Sequence, residues 1–550
     1  MIERASPAHG VVVTRVPQDV RAAIAAARAA FDKGAWPRET ASTRARVLVK
    51  TADLIDRDRE LLALLDTLES GKPITQARGE IEGSADIWRY AASVARELSG
   101  ESYANLGSDR LGFVLREPIG VVSIITPWNF PLLIVSQKLP FALAAGCTCV
   151  VKPSEMTLAS TLHLAGLLNE AGLPEGACNV VTGYGPEVGV PMTTDPDVDM
   201  ISFTGSTRVG RAAVAAGAAT LKKVSMELGG KNPQLIFPDA DMDAALDAVA
   251  FGAYFNAGEC CNAGSRVLLH EQIADEFLAG LSERVKTVKV GDPLDPETRV
   301  GAIISADHLG KIERHITAAE QSGAEVRAGG ARLESSGFFM SPTIVENVTS
   351  SMEIASAEVF GPVVVALTFE DLEEAVGLAN VTDYGLSASV WSRDIDTAVG
   401  VGRGVRAGNH LGQYIHGWHA GAPLWGLSPV RYWPRARAKR RQRLDRGKKV
   451  PRPYRSTDQL GAPSRSLRQS NRGSQLASET GSRTVSGGGS LRGRALHETS
   501  FNSDGGGNDR RSAEPRIRGF GCGYQRRPDA SLVDVGRRGG CCECHQGGAR

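Results

Sequence analysis

Residues 199–218 read DMISFTGSTRVGRAAVAAGA, a short apolar run that passes into a long alanine-rich run. The first half predicts a strand and the second half predicts a helix, with Gly205 and Gly210 near the junction. A strand that turns directly into a helix is the repeating unit of a parallel sheet. This stretch therefore predicts a doubly wound α/β fold.

The same alternation extends along the chain in both directions. Residues 19–98 carry apolar side chains at three- and four-residue spacing, which predicts helices. From residue 119 onward, runs rich in Val and Ile alternate with helical segments. After residue 230 the alternation restarts, with a helical MDAALDAVAFGAYF and a strand SRVLLH. The chain therefore predicts two successive α/β regions.

The overall composition is that of a globular protein. Hydrophobic residues are 42% and charged residues 23% of the 550, and the net charge of +1 does not favour nucleic acid or an acidic partner. No apolar run approaches the roughly 20 residues of a membrane span, and the N-terminus lacks a signal-peptide pattern. The nine cysteines show no disulfide-framework spacing within residues 1–408, so we expect reduced thiols and a cytoplasmic location.

One segment offers a candidate nucleophile. FNAGECCNAGSR places Cys260 and Cys261 in a polar, glycine-flanked stretch between a predicted helix and a predicted strand. A thiol there is either an activated nucleophile or an inert buried side chain, and buried free cysteines are common. A nucleophile also needs a base and an oxyanion donor, which this segment alone does not locate.

Two further polar residues are candidates for those roles. MELGGKNP offers Glu227 beside two glycines, and ITPWNFP offers Asn129 between two prolines. A carboxylate suits a general base and an amide suits an oxyanion donor. Both residues are also common in ordinary turns, so the residues alone leave the two interpretations open.

Two strand ends suggest a nucleotide site. In FTGSTRVG, Gly205 and Gly210 lie where a helix begins, and a helix N-terminus can bind phosphate. In VVKPSE, Lys152 and Glu155 follow a strand, and a carboxylate there could hold a ribose diol. The glycine spacing differs from the usual dinucleotide fingerprint, so a tight turn and a solvated loop are the alternatives.

Taken together, these motifs carry a specific resemblance. TPWNFP, KPSE, FTGST, MELGGKNP, GECCNAGSR and EVFGPV occur in this order, and the series resembles the aldehyde dehydrogenase superfamily from about residue 6 to 408. The resemblance implies a Rossmann-like NAD-binding domain and an α/β catalytic domain. It also implies oxidation of an aldehyde to a carboxylic acid with NAD as the hydride acceptor.

The resemblance assigns the catalytic roles. Cys261 is the nucleophile that forms a thiohemiacetal and then a thioester, because it is the cysteine five residues before Arg266. The Asn129 amide, with the Cys261 backbone N–H, stabilises the oxyanion. Glu227 is the general base that activates water to hydrolyse the thioester, which favours release of a free acid over transfer to coenzyme A.

The resemblance also assigns the cofactor contacts. Glu155 favours NAD over NADP, because a carboxylate beside the adenosine ribose repels a 2′-phosphate. The residues expected around the adenosine ribose, the pyrophosphate and the nicotinamide are Thr126, Trp128, Lys152, Glu155, Gly205, Ser206, Gly210, Leu228, Glu358 and Phe360. The substrate is a small aldehyde that the sequence does not identify, and no membrane or nucleic-acid partner is expected.

The implied domain boundaries follow the motifs. Residues 1–98 and 119–229 form the NAD-binding domain, and residues 99–118 form a strand arm that mediates oligomerisation. Residues 230–408 form the catalytic domain. Residues 409–550 do not resemble the family, whose members are homo-oligomeric through a C-terminal strand that is missing here.

The sequence changes character after Gly408. Family members continue after VRAG with a buried strand ending in Val-Asn, then Pro-Phe-Gly-Gly, then Ser-Gly-Ile-Gly-Arg-Glu, and none of these follows here. The amino acids of residues 409–417 restrict which codons can encode them. When those codons are read one base later, they can encode an apolar strand that ends in Val-Asn. Further along the same shifted frame, the codons permit the other two motifs in order. We therefore infer a frameshift immediately after Gly408, in the gene or in its sequencing.

This interpretation changes the meaning of the last part of the chain. If this part of the chain is translated in the wrong frame, the arginine clusters after residue 430 and the CCECH stretch at 541–545 reflect the base composition of the gene and not a binding site. We therefore expect neither nucleic-acid binding nor a metal site. Residues 460–515 are rich in Ser, Gly, Arg and Asn and predict disorder, so the catalytic domain is incomplete and the tail largely disordered. The missing strand should leave the sheet unfilled and the chain poorly soluble or inactive. The alternative to an active enzyme is thus an inactive frameshifted remnant with at most weak NAD binding.

Overall fold

The structure is a computed structural model that describes residues 2–10, 12–16 and 19–412. Predictions for the arginine clusters, the CCECH stretch and the disordered tail lie outside these described residues. No helix among the described residues is long and apolar enough to cross a membrane.

Strands and helices alternate along most of the described chain. The strands are β1 (Ile2–Ala5), β2 (Val12–Val16), β3 (Glu101–Tyr103), β4 (Gly112–Val114), β5 (Val121–Ile125), β6 (Thr148–Lys152), β7 (Cys178–Val180), β8 (Met200–Thr204), β9 (Lys223–Glu227), β10 (Pro233–Ile236), β11 (Arg266–His270), β12 (Glu325–Ala328), β13 (Thr343–Glu346), β14 (Val363–Phe369), β15 (Ser387–Trp391) and β16 (Asn409–Gly412). The α-helices are α1 (Val20–Asp32), α2 (Ala41–Arg57), α3 (Arg59–Ser70), α4 (Ile74–Glu97), α5 (Pro131–Ser136), α6 (Leu139–Ala145), α7 (Ala159–Ala171), α8 (Val190–Thr194), α9 (Thr207–Ala218), α10 (Met242–Tyr254), α11 (Glu271–Thr287), α12 (Ala306–Gln321), α13 (Glu353–Ser356), α14 (Leu372–Ala379) and α15 (Ile395–Gly404).

The first sheet has five parallel strands in the order β7-β6-β5-β8-β9. Its two faces bury different clusters, because successive side chains of a strand point to opposite sides. Val150 of β6 packs in the cluster of α1, whereas Val151 packs in the cluster formed by α2, α4 and α7. The doubly wound parallel fold predicted from residues 199–218 is therefore confirmed.

The helices that cover this sheet begin and end at residues suited to those positions. The side chain of Asp19 caps α1 by accepting from Ala22 N, and Thr40 caps α2 by accepting from Thr43 N. Gly71 ends α3 in the left-handed conformation, with φ of 83°, which glycine adopts without a steric cost. Gly71 sets the turn between α3 and α4, where Lys72 Nζ donates to the Asn129 carbonyl.

The second sheet has seven strands in the order β12-β13-β14-β11-β10-β15-β16. Its strands are parallel except for the β12–β13 pair, which is antiparallel. Val267, Leu268 and Leu269 of β11 are all buried, as expected for a central strand with both faces covered. The second α/β region predicted after residue 230 is confirmed, while the exact domain boundaries stay predictions.

The edge of this sheet differs from our expectation. Asn409–Gly412 pairs in parallel with β15, with Ser387 opposite Asn409 and Val390 opposite Gly412. The place predicted to be left unfilled after Gly408 is therefore occupied over these four residues. Strand pairing uses backbone groups, so a chain can add a short edge strand whichever side chains it carries.

A short hairpin leaves the first sheet. β3 and β4 pair antiparallel, with Ser102 opposite Phe113. The hairpin and the residues after it expose several large apolar side chains, including Phe113 and Leu115. Exposed apolar patches of this kind often mark contacts with another protein chain. The oligomerisation role assigned to residues 99–118 stays a prediction.

Candidate functional site

Four adjacent strands of the five-stranded sheet end at predicted site residues. β5 is followed by Thr126, β6 ends at Lys152, β8 is followed by Gly205 and β9 ends at Glu227. Thr126 N donates to the Lys152 carbonyl at 3.1 Å, and Gly205 N donates to the Glu227 carbonyl at 3.1 Å. The structure therefore brings these residues together at the carboxyl edge of the sheet, where α/β folds bind ligands.

The order of the strands reverses between β5 and β8, and two buried threonine hydroxyls lie at that point. Thr126 Oγ1 and Thr204 Oγ1 are buried and have no hydrogen-bond partner among the described residues. A buried hydroxyl left without a partner costs about 1–3 kcal/mol. Both groups are therefore suited to contact a bound polar molecule at the reversal point of the sheet.

The start of α9 is shaped for close packing and for an anion. Ser206 is the N-cap residue, and its Oγ accepts from Val209 N at 3.4 Å. A Cβ at Gly210 would lie 2.4 Å from Leu228 Cδ2, so glycine lets α9 approach the loop after β9. The remaining backbone N–H groups of the first turn favour a negatively charged ligand, as predicted for a pyrophosphate.

Lys152 and Glu155 form a pair at the end of β6. Lys152 Nζ lies 3.4 Å from Glu155 Oε2 and donates to the Pro153 carbonyl at 3.1 Å. Burial lowers the pKa of Lys152, although the nearby Glu155 charge opposes this shift. The carboxylate is partly exposed, which leaves it free to accept hydrogen bonds from a ligand beside the sheet edge.

Cys261 lies in a tight turn between α10 and β11, as the sequence predicts. Asn256 and Ala257, just before it, adopt left-handed φ values of 51° and 55°. Asn232 Nδ2 donates to the carbonyl of Cys261 at 2.9 Å. A Cβ at Gly230 would lie 2.2 Å from the same carbonyl oxygen. The loop after β9 therefore fixes the backbone of Cys261 by close contact.

The thiol of Cys261 is buried beside Cys260. Its hydrogen bond with Cys260 and its burial raise the pKa of Cys261 well above the ordinary range, and the charges of Glu358 and Glu227 add to the shift. Gly230 links two of these groups, since its N–H donates to Glu358 Oε1 at 2.8 Å and its backbone lies against the Cys261 carbonyl. Cys260 in turn donates to Asn262 Oδ1 at 2.6 Å.

Asn129 is held next to the cysteine turn. Its Nδ2 atom donates one hydrogen bond to the Glu259 carbonyl, two residues before Cys261, at 2.9 Å. A carboxamide nitrogen carries two hydrogens, so the second is available to another acceptor. The backbone carbonyl of Asn129 accepts from Lys72 Nζ at 2.8 Å and from Asn256 Nδ2 at 3.0 Å.

Glu227 and Cys261 share a cationic neighbour that the sequence analysis did not identify. Burial lowers the pKa of Lys138, while the charges of Glu227 and Cys261 act in the opposite direction. Lys138 Nζ lies 3.3 Å from Ser202 Oγ of β8. Lys138 lies between α5 and α6, in a segment that carries no predicted site residue.

Glu358 reaches the same region from the second sheet. Its Oε1 atom accepts from Gly230 N at 2.8 Å, and a Cβ at Gly229 would lie 2.1 Å from its Oε2 atom. Burial raises the pKa of Glu358 to about 7, although the Gly230 hydrogen bond and the Lys231 charge oppose the shift. The absence of a side chain at Gly229 is therefore needed for the carboxylate to approach.

Three aromatic rings pack against one another near Phe360. The Trp128 and Phe360 ring centroids are 5.4 Å apart with the planes at 88°, an edge-to-face contact. His308 lies 5.6 Å from Trp128 and 6.0 Å from Phe360, and its Nε2 atom hydrogen-bonds the Phe360 carbonyl at 2.6 Å. Phe360 has a positive φ of 59°, which this hydrogen bond helps to maintain.

The structure brings predicted site residues together in the pairs described above, and four further residues that the sequence analysis missed contact or act on them. Lys72, Lys138, Asn256 and His308 contact the predicted site residues or act on them electrostatically. Among the described residues, no group of three His, Cys, Asp or Glu side chains could hold a metal ion.

Comparison with known proteins identifies the family. The model of the aldehyde dehydrogenase family matches residues 1–423, so the match reaches beyond Gly408. The chain is 42% identical over 413 residues to a betaine aldehyde dehydrogenase of Bacillus subtilis (strain 168), covering 74% of this chain and 84% of that protein.

Solved structures agree with the sequence comparison. A crystal structure of an NAD-dependent aldehyde dehydrogenase from Sinorhizobium meliloti superposes with a TM-score of 0.75 at 51% identity, covering 76% of this chain and 84% of that chain. A betaine aldehyde dehydrogenase from Staphylococcus aureus in complex with NAD+ superposes with a TM-score of 0.75 at 39% identity, covering 76% and 85%. The chain belongs to the aldehyde dehydrogenase family.

Proposed function

We propose that this protein oxidises an aldehyde to a carboxylic acid with NAD as hydride acceptor, through a thiohemiacetal and a thioester on Cys261. The observation that carries the proposal is the geometry of the Cys261 turn, where Asn129 Nδ2 donates to the Glu259 carbonyl at 2.9 Å and Asn232 Nδ2 donates to the Cys261 carbonyl at 2.9 Å. Membership of the family supports the reaction class, and a solved relative in complex with NAD+ supports the cofactor.

The residues at the sheet edge fit a dinucleotide. The orphaned hydroxyls of Thr126 and Thr204, the α9 N-terminus at Ser206 and the Lys152–Glu155 pair supply donors and acceptors there. The remaining proposed contacts are Trp128, Gly205, Gly210, Leu228, Glu358 and Phe360. When bound, NAD would accept the hydride that leaves the thiohemiacetal carbon.

Glu155 supports NAD over NADP. Its carboxylate lies at the end of β6 and already pairs with Lys152 at 3.4 Å. A 2′-phosphate would meet a like charge there, and like charges a few ångströms apart repel strongly at a partly buried site. A ribose diol could instead donate hydrogen bonds to the same oxygens.

Cys261 attacks the aldehyde carbon once its proton has been removed. Because its hydrogen bond with Cys260 and its burial raise the pKa of Cys261, little of the thiol is ionised at any moment, and its proton passes to water when the thiolate forms. The free hydrogen of Asn129 Nδ2 and the backbone N–H of Cys261 stabilise the oxyanion that forms. One such donor is worth about 3–4 kcal/mol in comparable sites.

Glu227 completes the cycle. After hydride loss, the acyl group remains on Cys261 as a thioester that water must hydrolyse. Glu227 acts as the general base that takes a proton from this water. The presence of a carboxylate here supports release of a free acid.

The alternative is an inactive remnant of such an enzyme. It is supported by the absence of the family's later motifs after Gly408, which also underlies the proposed frameshift. Assays of NADH formation by the purified chain with a panel of aldehydes separate the two proposals. Turnover that is abolished by Cys261→Ala supports the enzyme, whereas no turnover with any aldehyde supports the remnant.

Location and assembly are also proposals. The five cysteines of the described residues are unpaired, which supports a reducing compartment and hence a cytoplasmic location. The exposed apolar side chains around β3 and β4 support a homo-oligomer that uses this arm. Analytical ultracentrifugation of the full chain, compared with Phe113→Asp, tests the second point.

A further inference from the structure

Lys72 is a buried lysine whose position is unusual for its type. It follows Gly71 in the turn between α3 and α4, and its side chain has no exposed surface. Lysine is almost never fully buried unless its charge is paired. A lysine placed here must therefore be held by specific partners, and those partners indicate what it does.

The ammonium group has partners on three sides. Nζ lies 2.5 Å from Glu80 Oε2 of α4 and 2.8 Å from the Asn129 carbonyl oxygen, and it sits 4.4 Å from the centroid of the Phe130 ring. Asp66 is also close enough for the Lys72 charge to act on it. A carboxylate, a carbonyl and an aromatic face together satisfy the ammonium.

The Asn129 carbonyl belongs to a closed set of hydrogen bonds. It accepts from Lys72 Nζ and from Asn256 Nδ2, and Asn256 Nδ2 also donates to the Glu259 carbonyl at 3.2 Å. The Glu259 carbonyl accepts from Asn129 Nδ2 as well. These contacts join the loop after β5 to the turn that carries Cys261.

Lys72 contributes the charged donor of this set. A charge-assisted hydrogen bond is shorter and roughly twice as strong as a neutral one, so it restrains the Asn129 backbone more firmly than Asn256 alone. The backbone of Lys72 and of the residue before it is also held in place, because Lys72 N donates to Ser70 Oγ at 3.3 Å and the Gly71 carbonyl accepts from Ala302 N at 3.0 Å.

From this geometry we infer that Lys72 is a positioning residue for the oxyanion site: paired with Glu80, it fixes the backbone of Asn129 so that the amide points at the reacting oxygen. The inference rests on the proposed oxyanion role of Asn129. Lys72 touches no reacting atom, and its effect on catalysis passes through Asn129.

The position of a donor matters because displacements of about 1 Å can cost a factor of 100 in rate. Lys72→Met alone would leave the Glu80 carboxylate buried without its partner, and such a chain could fail to fold. The double variant Lys72→Met/Glu80→Gln removes both charges while keeping similar volumes. It is therefore the variant in which positioning can be measured.

A matched control exists elsewhere in the same sheet. Lys222 is also buried, and its Nζ donates to the Asp195 and Val198 carbonyls, each at 2.6 Å. Lys222 comes directly before β9 and Glu227 ends β9, so the two residues lie at opposite ends of the same strand. Lys222→Met therefore removes a buried lysine that holds backbone carbonyls but has no contact with Asn129.

The test is a double-mutant cycle on the full chain. It measures kcat/KM for an aldehyde at saturating NAD, with Lys72→Met/Glu80→Gln made in the wild-type chain and in Asn129→Ala. We expect a loss of about 10- to 30-fold in the wild-type background and less than about twofold in Asn129→Ala. NAD binding, measured by fluorescence titration, and the activity of Lys222→Met stay near wild type.

The outcomes separate the inference from the proposed function. Equal losses in both backgrounds, or an equal loss in Lys222→Met, overturn the positioning role while leaving the oxyanion role of Asn129 intact. If Asn129→Ala alone leaves kcat/KM unchanged, the oxyanion role itself fails.

A measurement without turnover keeps the test decisive if the chain forms no NADH. A conjugated aromatic aldehyde loses ultraviolet absorbance when Cys261 adds to it, so titration reports the thiohemiacetal equilibrium directly. The Lys72→Met/Glu80→Gln variant should weaken this equilibrium about tenfold, as one well-placed donor is lost, and should not do so in Asn129→Ala. An equal effect in both backgrounds contradicts the inference.

Discussion

The backbone nitrogen of Gly230 donates to Glu358 Oε1 at 2.8 Å. Gly230, which precedes the second sheet, therefore binds a carboxylate that lies 128 residues further along the chain. The contact is possible because Gly229 has no side chain where the carboxylate lies. Burial raises the pKa of Glu358 to about 7, so its charge state changes near neutral pH.

A pH dependence of cofactor binding follows from this shift. As the pH falls through about 7, Glu358 takes up a proton and becomes a poorer acceptor, so the KM for NAD should rise. Lys231, whose pKa burial lowers to about 7, gains its charge over the same range and partly offsets the change. The measurement is KM for NAD against pH in the wild type and in Glu358→Gln. A similar rise in Glu358→Gln would assign the effect to another group.

Glu227→Gln should change two rates in opposite directions. Turnover should fall by about 10²–10⁴-fold, because the general base is lost. Alkylation of Cys261 by iodoacetamide should instead become up to about threefold faster at fixed pH, because one of the charges that raise the thiol pKa is removed. Mass spectrometry of the labelled peptide against time gives the second rate. Slower alkylation would mean that Glu227 deprotonates the resting thiol.

Glu155→Ser should relax the choice of cofactor. Without the carboxylate, Lys152 is left to attract a 2′-phosphate, so kcat/KM with NADP should rise about 10- to 100-fold relative to NAD. Glu187→Ser is a matched control, since it removes an exposed carboxylate from the loop after β7, outside the predicted cofactor contacts. The prediction is refuted if the ratio of the two kcat/KM values is the same in wild type and Glu155→Ser.

Elements with strong local patterns could be predicted from the sequence. The helices of residues 19–98 and the strand and helix around Gly205 follow from apolar spacing and junction residues, and the structure contains them. The predicted residues follow from motif order. Thr126, Lys152 and Gly205 lie at one edge of the five-stranded sheet because parallel strands share that edge, whereas Cys261 and Glu358 come from loops that precede strands of the second sheet.

Residues whose importance depends on distant partners could not be predicted. Lys72 lies 57 residues before the Asn129 carbonyl that it contacts, and in the sequence it resembles an ordinary charged residue in a turn. His308 contacts Phe360 across 52 residues. No local spacing encodes such pairs, since they arise only when the two sheets form and their loops meet.

The short strand after Gly408 also could not be predicted from motifs. The family match continues to residue 423, and Asn409–Gly412 pairs with β15 although no family motif stands there in this frame. Motifs report side chains, whereas a strand at a sheet edge needs only backbone hydrogen bonds.

The most direct measurement compares aldehyde-dependent NADH formation by the full-length chain, Cys261→Ala and Cys260→Ala. If Cys261 is the nucleophile, the wild-type chain turns over and Cys261→Ala loses about 10⁴-fold or more, because no thioester can form. Cys260→Ala, which removes the neighbouring thiol only, should stay within about tenfold of wild type. Equal turnover by Cys261→Ala and the wild type, or no turnover by the wild type with any aldehyde tested, would contradict the proposed function.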